Sequence, residues 1–437
     1  MNLVWITGGV FLITYALIVT ERVHRTLAAL LGGVVVLLLG VLPQDQAFAA
    51  VDWNVIFLLA GMMAIANVLR ETGLFQWIAV QAVRLGRGRP FLILVILSLV
   101  TAVSSALLDN VTIVVLVAPV TLFVAASLRV SPVPFLIAEI LASNIGGAAT
   151  LIGDPPNILI GSAADLDFLT FGKNMAPISM IILIGFLIMA WFLFRKDLRV
   201  QPKTPRATGE SAAPAAAEAD ALSNLLALDT AALITNRGML LRGLIVMGGV
   251  IVGFTVHGLL HLQPATIALT GATVLMLWTR KDPHHVLRDV EWTTLFFFIG
   301  LFILIEAVVH VGIIDSVARA ALRLTGGNVR FTTILLLWLS AVASGVVDNI
   351  PYTATMIPVV KSLAVSMPAE PLWWSLALGA CLGGNSTLVG ASANVVVASL
   401  AERSGHRISF KTFLIYGLPV TLMSLLLATA YVWVRYL

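Results

Sequence analysis

The sequence predicts an all-helical integral membrane protein made of two inverted-topology repeats. Composition gives the membrane class, because the chain of 437 residues is 59% hydrophobic and only 11% charged, whereas soluble domains carry about 25% charged residues. Many apolar runs have the length of about 17–25 residues that spans a bilayer. The second half of the chain also repeats the pattern of the first half, which indicates an internal duplication.

The duplication rests on three pairs of matching segments. The pairs are residues 51–53 with 290–292, 109–110 with 348–349, and 146–157 with 383–394. Members of the first two pairs are 239 residues apart, and those of the third pair are 237 residues apart. Chance similarity between apolar segments would not keep so steady a shift, so we interpret the pattern as a repeat.

Each repeat is expected to contain about five transmembrane helices, a re-entrant hairpin and a broken helix. The segments expected in the first half are residues 3–20, 26–42, 53–70, 74–85, 91–127, 133–162 and 176–194. The segment 91–127 breaks at Asp109 and returns to the side from which it entered. Its length fits either a re-entrant hairpin or two full spans.

Basic residues predict the orientation, because cytoplasmic loops carry an excess of Lys and Arg. The basic residues of the first half fall at the helix ends that successive membrane crossings would place on the same side. Residues 43–52, which lie on the other side, contain none. We therefore place the N-terminus outside. The first half then crosses the membrane an odd number of times, so the second half is inverted. Arg319, Arg323 and Lys361 do not fit this alternation.

We divide the chain into a first repeat (1–194), a linker (195–237) and a second repeat (238–437). The linker begins with basic residues and continues with Ala, Pro, Ser and Glu, which is typical of a flexible tether, here expected in the cytoplasm. The apolar run 3–19 follows no basic residue and precedes no cleavage site, so we expect a retained helix. The protein is thus predicted to be a multi-pass protein of the cell (inner) membrane.

Interrupted helices in matching positions of two repeats indicate the substrate site of a transporter. Residues 146–157 combine two glycines with Gly153 and two prolines, and residues 383–394 repeat the glycines without proline. Broken backbone is tolerated in lipid only where it is buried in protein or lines a cavity. A kink that only serves packing is the alternative interpretation.

Asp109 and Asp348 occupy equivalent positions inside apolar segments. A charged Asp at the bilayer centre costs about 2.5–3.5 kcal/mol on insertion scales, so such residues usually face a cavity or take up a proton. The alternative is a structural role as the cap of a half-helix N-terminus. The two roles can coexist.

Glu139 and Asp154 occur in one repeat only, since their counterparts are Leu376 and Ala391. The site is therefore predicted to be chemically asymmetric within a symmetric fold. For Glu139, in the middle of a helix, we favour a buried functional role. For Asp154 an interfacial position is an equally good alternative.

Several classes of function are not supported by the sequence. The lone Cys381 excludes an internal disulfide or a thiolate metal cage, and the net charge of +4 is not gathered into a nucleic-acid-binding patch. We find no P-loop, nucleophile elbow, HExxH or dinucleotide fingerprint. We therefore predict a protein that is not an enzyme, with no cofactor and no resident metal.

The paired Asp-Asn tips, the Gly-Asp-Pro-Pro-Asn break and the inverted halves resemble the ion transporter superfamily. Within it the chain is most similar to the branch of ArsB-type arsenite/antimonite permeases, NhaD-type sodium/proton antiporters and P-protein permeases. The resemblance implies a scaffold domain and a mobile transport domain, elevator-type alternating access and a homodimer. It also implies a possible soluble ATPase partner. The Ser-Asn-Thr tips of dicarboxylate carriers are absent, since residues 109–112 read Asp-Asn-Val-Thr.

We expect the substrate to be bound by the polar residues of the tips and breaks. These are Asp109, Asn110, Asn144, Thr150, Asn157, Asp348, Asn349, Asn385, Thr387 and Asn394. Proton coupling is assigned to Glu139, Asp109 and Asp348. Two aspartates would repel a dianion but suit a neutral trihydroxide such as arsenous acid.

The function predicted is therefore the export of arsenite or antimonite in exchange for protons. Sodium/proton antiport is the nearest alternative, and a carrier of carboxylates or other anions is a weaker one. A membrane receptor or assembly scaffold is the least favoured class, because such proteins do not need duplicated broken helices with buried acids.

Overall fold

The computed structural model describes residues 2–20, 22–198 and 233–437. The predicted linker, 195–237, lies mostly outside these residues. In the first half the helices are α1 (Asn2–Thr20), α2 (Arg25–Leu38), α3 (Gln44–Ala49), α4 (Trp53–Arg70), α5 (Leu74–Leu85), α6 (Pro90–Ser105), α7 (Asn110–Leu128), α8 (Val133–Gly147), α9 (Pro155–Ala163) and α10 (Phe168–Phe194). In the second half they are α11 (Arg237–Leu260), α12 (Pro264–Thr279), α13 (Pro283–Arg288), α14 (Trp292–His310), α15 (Ile313–Thr325), α16 (Val329–Val346), α17 (Asn349–Ala364), α18 (Ala369–Gly383), α19 (Ser392–Arg403) and α20 (Phe410–Tyr436).

The predicted fold class is confirmed. The described residues form helices and no strand. Eight of the described helices are long and apolar enough to cross a membrane by length and composition: α1, α4, α7, α10, α11, α14, α16 and α20. Five shorter apolar helices accompany them, among them α6 and α8. The protein is a multi-pass membrane protein.

The helices of the two halves correspond one to one. From α2 to α7, each helix begins 239 residues before its counterpart in the series α12 to α17. Each half then has a short broken pair, α8 and α9 or α18 and α19, followed by a helix of 27 residues. The duplication seen in the sequence is therefore a duplication of structure.

Contacts between the halves show that the repeats run in opposite directions. α2 packs on α14, and α12 packs on α4. The Thr26 hydroxyl at the start of α2 donates to the Thr293 carbonyl at the start of α14, at 2.7 Å. Arg70, at the end of α4, forms an ion pair with Asp289, just before α14. Since α4 ends where its counterpart α14 begins, the two equivalent helices are antiparallel, as an inverted repeat requires.

Two helix boundaries differ from those predicted by more than one residue. α2 ends at Leu38 instead of residue 42, because Gly40 adopts a left-handed conformation with φ of 66°. α10 begins at Phe168, eight residues before the predicted start at 176, and Asp167 caps it by accepting from the Thr170 N–H at 2.7 Å. The polar residues Lys173 and Asn174 interrupt the apolar run but continue the helix.

The hairpins and broken helices pack together as one unit within each repeat. α6 packs on α8 in the first half, and α16 packs on α18 in the second. The tips also cross between repeats, because α7 packs on α19 and α17 packs on α9. This arrangement places both tips and both breaks in the interior.

Candidate functional site

Each hairpin tip is fastened to the broken helix of its own repeat by the same hydrogen bonds. In the first repeat the Asn110 N–H donates to the Gly153 carbonyl at 3.2 Å, and the Thr150 hydroxyl donates to the Ala106 carbonyl at 2.5 Å. The second repeat has matching bonds at the same distances, from Asn349 to Gly390 and from Thr387 to Gly345. The backbone of each break is thus satisfied by a tip, which a broken helix in a membrane needs.

Asn157 and Asn394 stabilise the breaks. The Asn157 amide nitrogen donates to the carbonyls of Gly147 at 3.0 Å and Thr150 at 2.9 Å. Asn394 makes the equivalent bonds to Gly384 and Thr387, at 2.7 and 2.9 Å. Four of the predicted site residues, Thr150, Asn157, Thr387 and Asn394, therefore direct their donors to backbone carbonyls.

Asn144 joins the two repeats at the centre. Its amide nitrogen donates to the side-chain oxygens of Asn385 at 2.9 Å and Asn394 at 3.0 Å. Its own side-chain oxygen accepts from the Asn110 amide at 3.2 Å. All four residues are buried. The structure thus brings residues from α7, α8, α19 and the second break into one polar network.

Asp154 is buried in the protein against the tip of the opposite hairpin. The side chain is 1% exposed, and both of its carboxylate oxygens accept from the Asn349 amide, at 3.3 and 3.2 Å. It lies near enough to Asp109 and Asp348 to interact electrostatically with both. Burial disfavours the interfacial alternative for Asp154, because the break that carries this residue folds inward against the second tip.

Asp109 caps α7 and keeps one free oxygen. Its Oδ2 accepts from the Thr112 N–H at 3.0 Å and from the Thr112 hydroxyl at 3.1 Å. Its Oδ1 is buried and makes no hydrogen bond of good geometry with a described residue, the Val111 N–H being at most a weak donor to this carboxylate. The Asn110 side-chain oxygen is likewise buried without a partner among the described residues. Thr112 also lines a cavity of about 50 Å³ with Asn67 and Glu291. The capping role and an open acceptor therefore coexist in Asp109.

Asp348 caps α17 but is fully occupied. Its Oδ1 accepts from the Ile350 N–H at 3.0 Å. Its Oδ2 accepts from the Ser392 hydroxyl at 2.5 Å and lies 3.3 Å from Nη1 of Arg25. These three side chains line a cavity of about 340 Å³. The two aspartates thus share a backbone role and differ in their charge environment.

Arg25 and Ser392 are site residues that the sequence analysis missed. Arg25 counted there only as a basic helix end, and Ser392 drew no attention. Their repeat counterparts are Pro264 and Pro155, so a comparison of the repeats could have marked both positions as asymmetric. No local motif links either residue to Asp348.

Glu139 lies in the interior on α8, the helix that carries Asn144. It is 2% exposed, and its Oε1 is hydrogen-bonded to the Thr121 hydroxyl of α7. Its Oε2 has no hydrogen-bond partner in the described chain. The expected buried position is confirmed, while its role in proton coupling stays a prediction.

A third cavity, of about 580 Å³, is lined by residues of α4, α9 and α11 and by the segments just before α10 and α12. Its polar lining includes Asn54, Asp165, Asp167, His257 and His261. His257 lies in the last turn of α11, where its Nε2 accepts from the Phe168 N–H at 3.3 Å. The sequence alone predicts a loop at His257, and this prediction is wrong because the helix continues to Leu260. Among the described residues no group of three or more His, Cys, Asp or Glu side chains could hold a metal ion.

Comparisons with known proteins place the chain among transporters. The family profile described as "CitMHS: Citrate transporter" matches residues 15–379. An uncharacterized transporter of Mycobacterium tuberculosis (strain ATCC 25618 / H37Rv) is 44% identical over all of this chain and 99% of its own length. The P protein of Homo sapiens is 36% identical over 97% of this chain and 59% of its own length.

A solved structure shares the fold. The crystal structure of the Alcanivorax borkumensis YdaH transporter, described as having an unusual topology, aligns with a TM-score of 0.58. The alignment covers 89% of this chain and 85% of that chain at 16% identity. At this identity the likeness concerns the fold alone.

Proposed function

The chain belongs to the citrate transporter family of the ion transporter superfamily, and from this premise we propose that it exports arsenite or antimonite in exchange for protons. It is a membrane transporter; the substrate, the coupling ion and the direction are the proposal. The resemblance to ArsB-type permeases agrees with it.

One observation carries the choice of substrate. The adjacent side-chain oxygens of Asp109 and Asn110 are both buried acceptors that lack a well-placed donor among the described residues. A buried acceptor without a partner costs about 1–3 kcal/mol, so a bound solute with several O–H groups would be stabilised there. Arsenous acid is a neutral trihydroxide. A carboxylate substrate would bring further acceptors to oxygens that already lack donors.

Proton exchange follows from the same carboxylate. A charged Asp109 can accept a hydrogen bond from the metalloid, whereas a protonated Asp109 offers a donor in its place. A proton that reaches Asp109 from outside therefore favours release of the substrate. Glu139, with its free Oε2, is the second candidate for carrying a proton.

Alternating access is proposed to occur by an elevator movement. The scaffold would comprise the helices of each repeat that pack on the other repeat, which are α2, α4, α12 and α14. The transport domain would comprise the hairpins and broken helices, which hold every proposed binding residue. The cavities of about 340 and 580 Å³ would then serve as vestibules.

Further parts of the proposal concern organisation. We retain the division into repeats at 1–194 and 238–437 with a cytoplasmic linker at 195–237. A homodimer and docking of a soluble ATPase stay proposals that rest on the resemblance.

Citrate is the second candidate, favoured by the description of the family and by Arg25, a cation at the cavity next to Asp348. Sodium/proton antiport is the third, since carboxylate and amide oxygens also suit a sodium ion.

The test is transport by the purified protein in proteoliposomes. With an acidic lumen, vesicles are expected to accumulate antimonite, and dissipating the pH gradient should abolish accumulation. Replacing sodium by choline should change nothing, and excess citrate should not compete. Proton-coupled sodium flux without antimonite flux, or citrate flux, would overturn the proposal in favour of the corresponding candidate.

A further inference from the structure

We propose that Arg25 is a specificity-determining residue, a tethered cation that occupies Asp348 and so keeps sodium and similar free cations out of that half of the site. The proposal deepens the proposed function, because it explains why an acid-rich site would take a neutral substrate.

The geometry places the guanidinium where a cation would bind. Nη1 of Arg25 lies 3.3 Å from Oδ2 of Asp348 and also hydrogen-bonds to the Ser392 hydroxyl. Ser392 in turn donates to the same carboxylate oxygen at 2.5 Å. Cζ of the guanidinium lies 5.5 Å from the ring centroid of Phe297. A carboxylate oxygen and a hydroxyl are also ligands that a sodium ion would accept.

The arrangement exists in one repeat only. Pro264 stands at the position equivalent to Arg25, and Pro155 at the position equivalent to Ser392. Neither proline side chain can donate a hydrogen bond, so Asp109 receives no comparable pair and retains a free oxygen. Of the two repeated carboxylates, one is neutralised by the protein itself and the other is left for the substrate.

Electrostatics gives the consequence for selectivity. The Asp348 side chain is only 15% exposed, and a partly buried carboxylate strongly favours a countercharge. A guanidinium attached to α2 is always present at this site, whereas a sodium ion must give up part of its hydration shell to enter. Arg25 therefore binds Asp348 in preference to sodium at ordinary sodium concentrations. Removing Arg25 should allow sodium to bind at Asp348.

The position of Arg25 on α2 also allows its contact with Asp348 to be broken by a movement of the hairpins. α2 packs on α14, while Asp348 and Ser392 lie at a hairpin tip and a broken helix. A movement of the tips relative to α2 and α14 would separate the guanidinium from the carboxylate. The arginine is thus a countercharge for one state of the transporter and is not carried with the substrate.

The experiment measures the thermal unfolding of the purified protein against sodium concentration, with choline keeping the ionic strength constant. The wild type should have a Tm that is indifferent to sodium. Arg25→Gln should unfold at a lower temperature in choline and regain several degrees as sodium rises. Arg25→Lys should resemble the wild type, because it keeps the tethered charge.

Two further variants serve as controls. Arg22→Gln removes an exposed basic residue three positions away. Its Tm should not depend on sodium, as in the wild type. The double variant Arg25→Gln, Asp348→Asn should lose the response that Arg25→Gln gains, while Asn keeps the capping oxygen of α17.

The outcomes separate the two proposals. A wild-type sodium response as large as that of Arg25→Gln, or no response in a folded, monodisperse Arg25→Gln, overturns the role of Arg25. Arg25→Gln could also fail to fold because it leaves the Asp348 charge unpaired. In that case the double variant should fold again and stay indifferent to sodium. A double variant that is equally unable to fold overturns the role of Arg25. A protein that shows the expected sodium pattern but does not move antimonite leaves this inference intact and overturns only the metalloid export.

Discussion

At the scale of single residues, repeat symmetry has preserved a backbone function and allowed the chemistry to diverge. Asp109 and Asp348 both cap the second helix of a hairpin. Asp348 is saturated by Arg25 and Ser392, whereas Oδ1 of Asp109 has no well-placed donor in the described part of the chain. The asymmetry expected from Glu139 and Asp154 therefore extends to the repeated acids themselves.

The change Asp109→Asn tests the proton role of the free carboxylate. Asn caps a helix about as well as Asp, so folding should be preserved. Antimonite accumulation driven by an acidic lumen should fall by about tenfold or more, which corresponds to about 1.4 kcal/mol, and its dependence on pH should flatten. The measurement is initial uptake as a function of lumenal pH.

Asp45→Asn provides the matched control, because Asp45 is an exposed acid on α3 and its uptake curve should follow that of the wild type. Unchanged pH dependence in a well-folded Asp109→Asn would exclude this carboxylate as the coupling group.

At the scale of elements, the site depends on the joint between each hairpin tip and its broken helix. Gly153 marks how close these backbones come. A Cβ atom at this position would lie 2.6 Å from the carbonyl oxygens of both Gly147 and Ser105. Such distances are far shorter than ordinary van der Waals contact, and the obstructing atoms belong to the backbone. Glycine is therefore required here for close approach.

Gly153→Ala should destabilise the protein by about 2 kcal/mol, the usual cost of forcing an extra methyl group into a packed interior. The expected result is a lower Tm in detergent together with loss of transport. Gly172→Ala is the control, since a Cβ atom at Gly172 meets nothing within 4 Å and alanine is favoured in helices. Equal Tm values for the two variants would show that the joint is looser than described.

At the scale of the whole molecule, helices of each repeat pack on helices of the other in a pseudo-two-fold arrangement. α2 packs on α14 as α12 packs on α4. Ion pairs of Arg70 with Asp289 and of Lys281 with Glu71 join the end of α4 to the segment before α14. Equivalent positions of the two repeats should therefore face opposite sides of the membrane.

Cysteine labelling tests this inversion and the orientation together. Asp45 and His284 are equivalent, 239 residues apart, and both are exposed. In a Cys381→Ser background, an impermeant maleimide applied to intact cells should label Asp45→Cys and not His284→Cys. Permeabilised cells should label both. Labelling of both positions in intact cells would contradict the inverted topology, and the reverse pattern would invert the orientation.

Much of the fold could be predicted because it is encoded locally. The bounds of α4 and α5 agree with the predicted 53–70 and 74–85, since apolar runs and their polar ends mark helix limits. Glycines and prolines marked the broken helices for the same reason. The capping alternative for Asp109 and Asp348 followed from their position ahead of an apolar helix, and both caps are present.

What the sequence by itself determined is the membrane class, the repeat and the residues at the tips and breaks, because each depends on composition or spacing along the chain. Only the tertiary structure decided which of those residues meet. Asp348 pairs with Arg25 across 323 residues, and Asn349 reaches Asp154 across 195. Such contacts depend on how helices pack in three dimensions, and neither periodicity nor motif spacing records that packing. For this reason the sequence predicted two equivalent acids, and the structure distinguishes an occupied one from an open one.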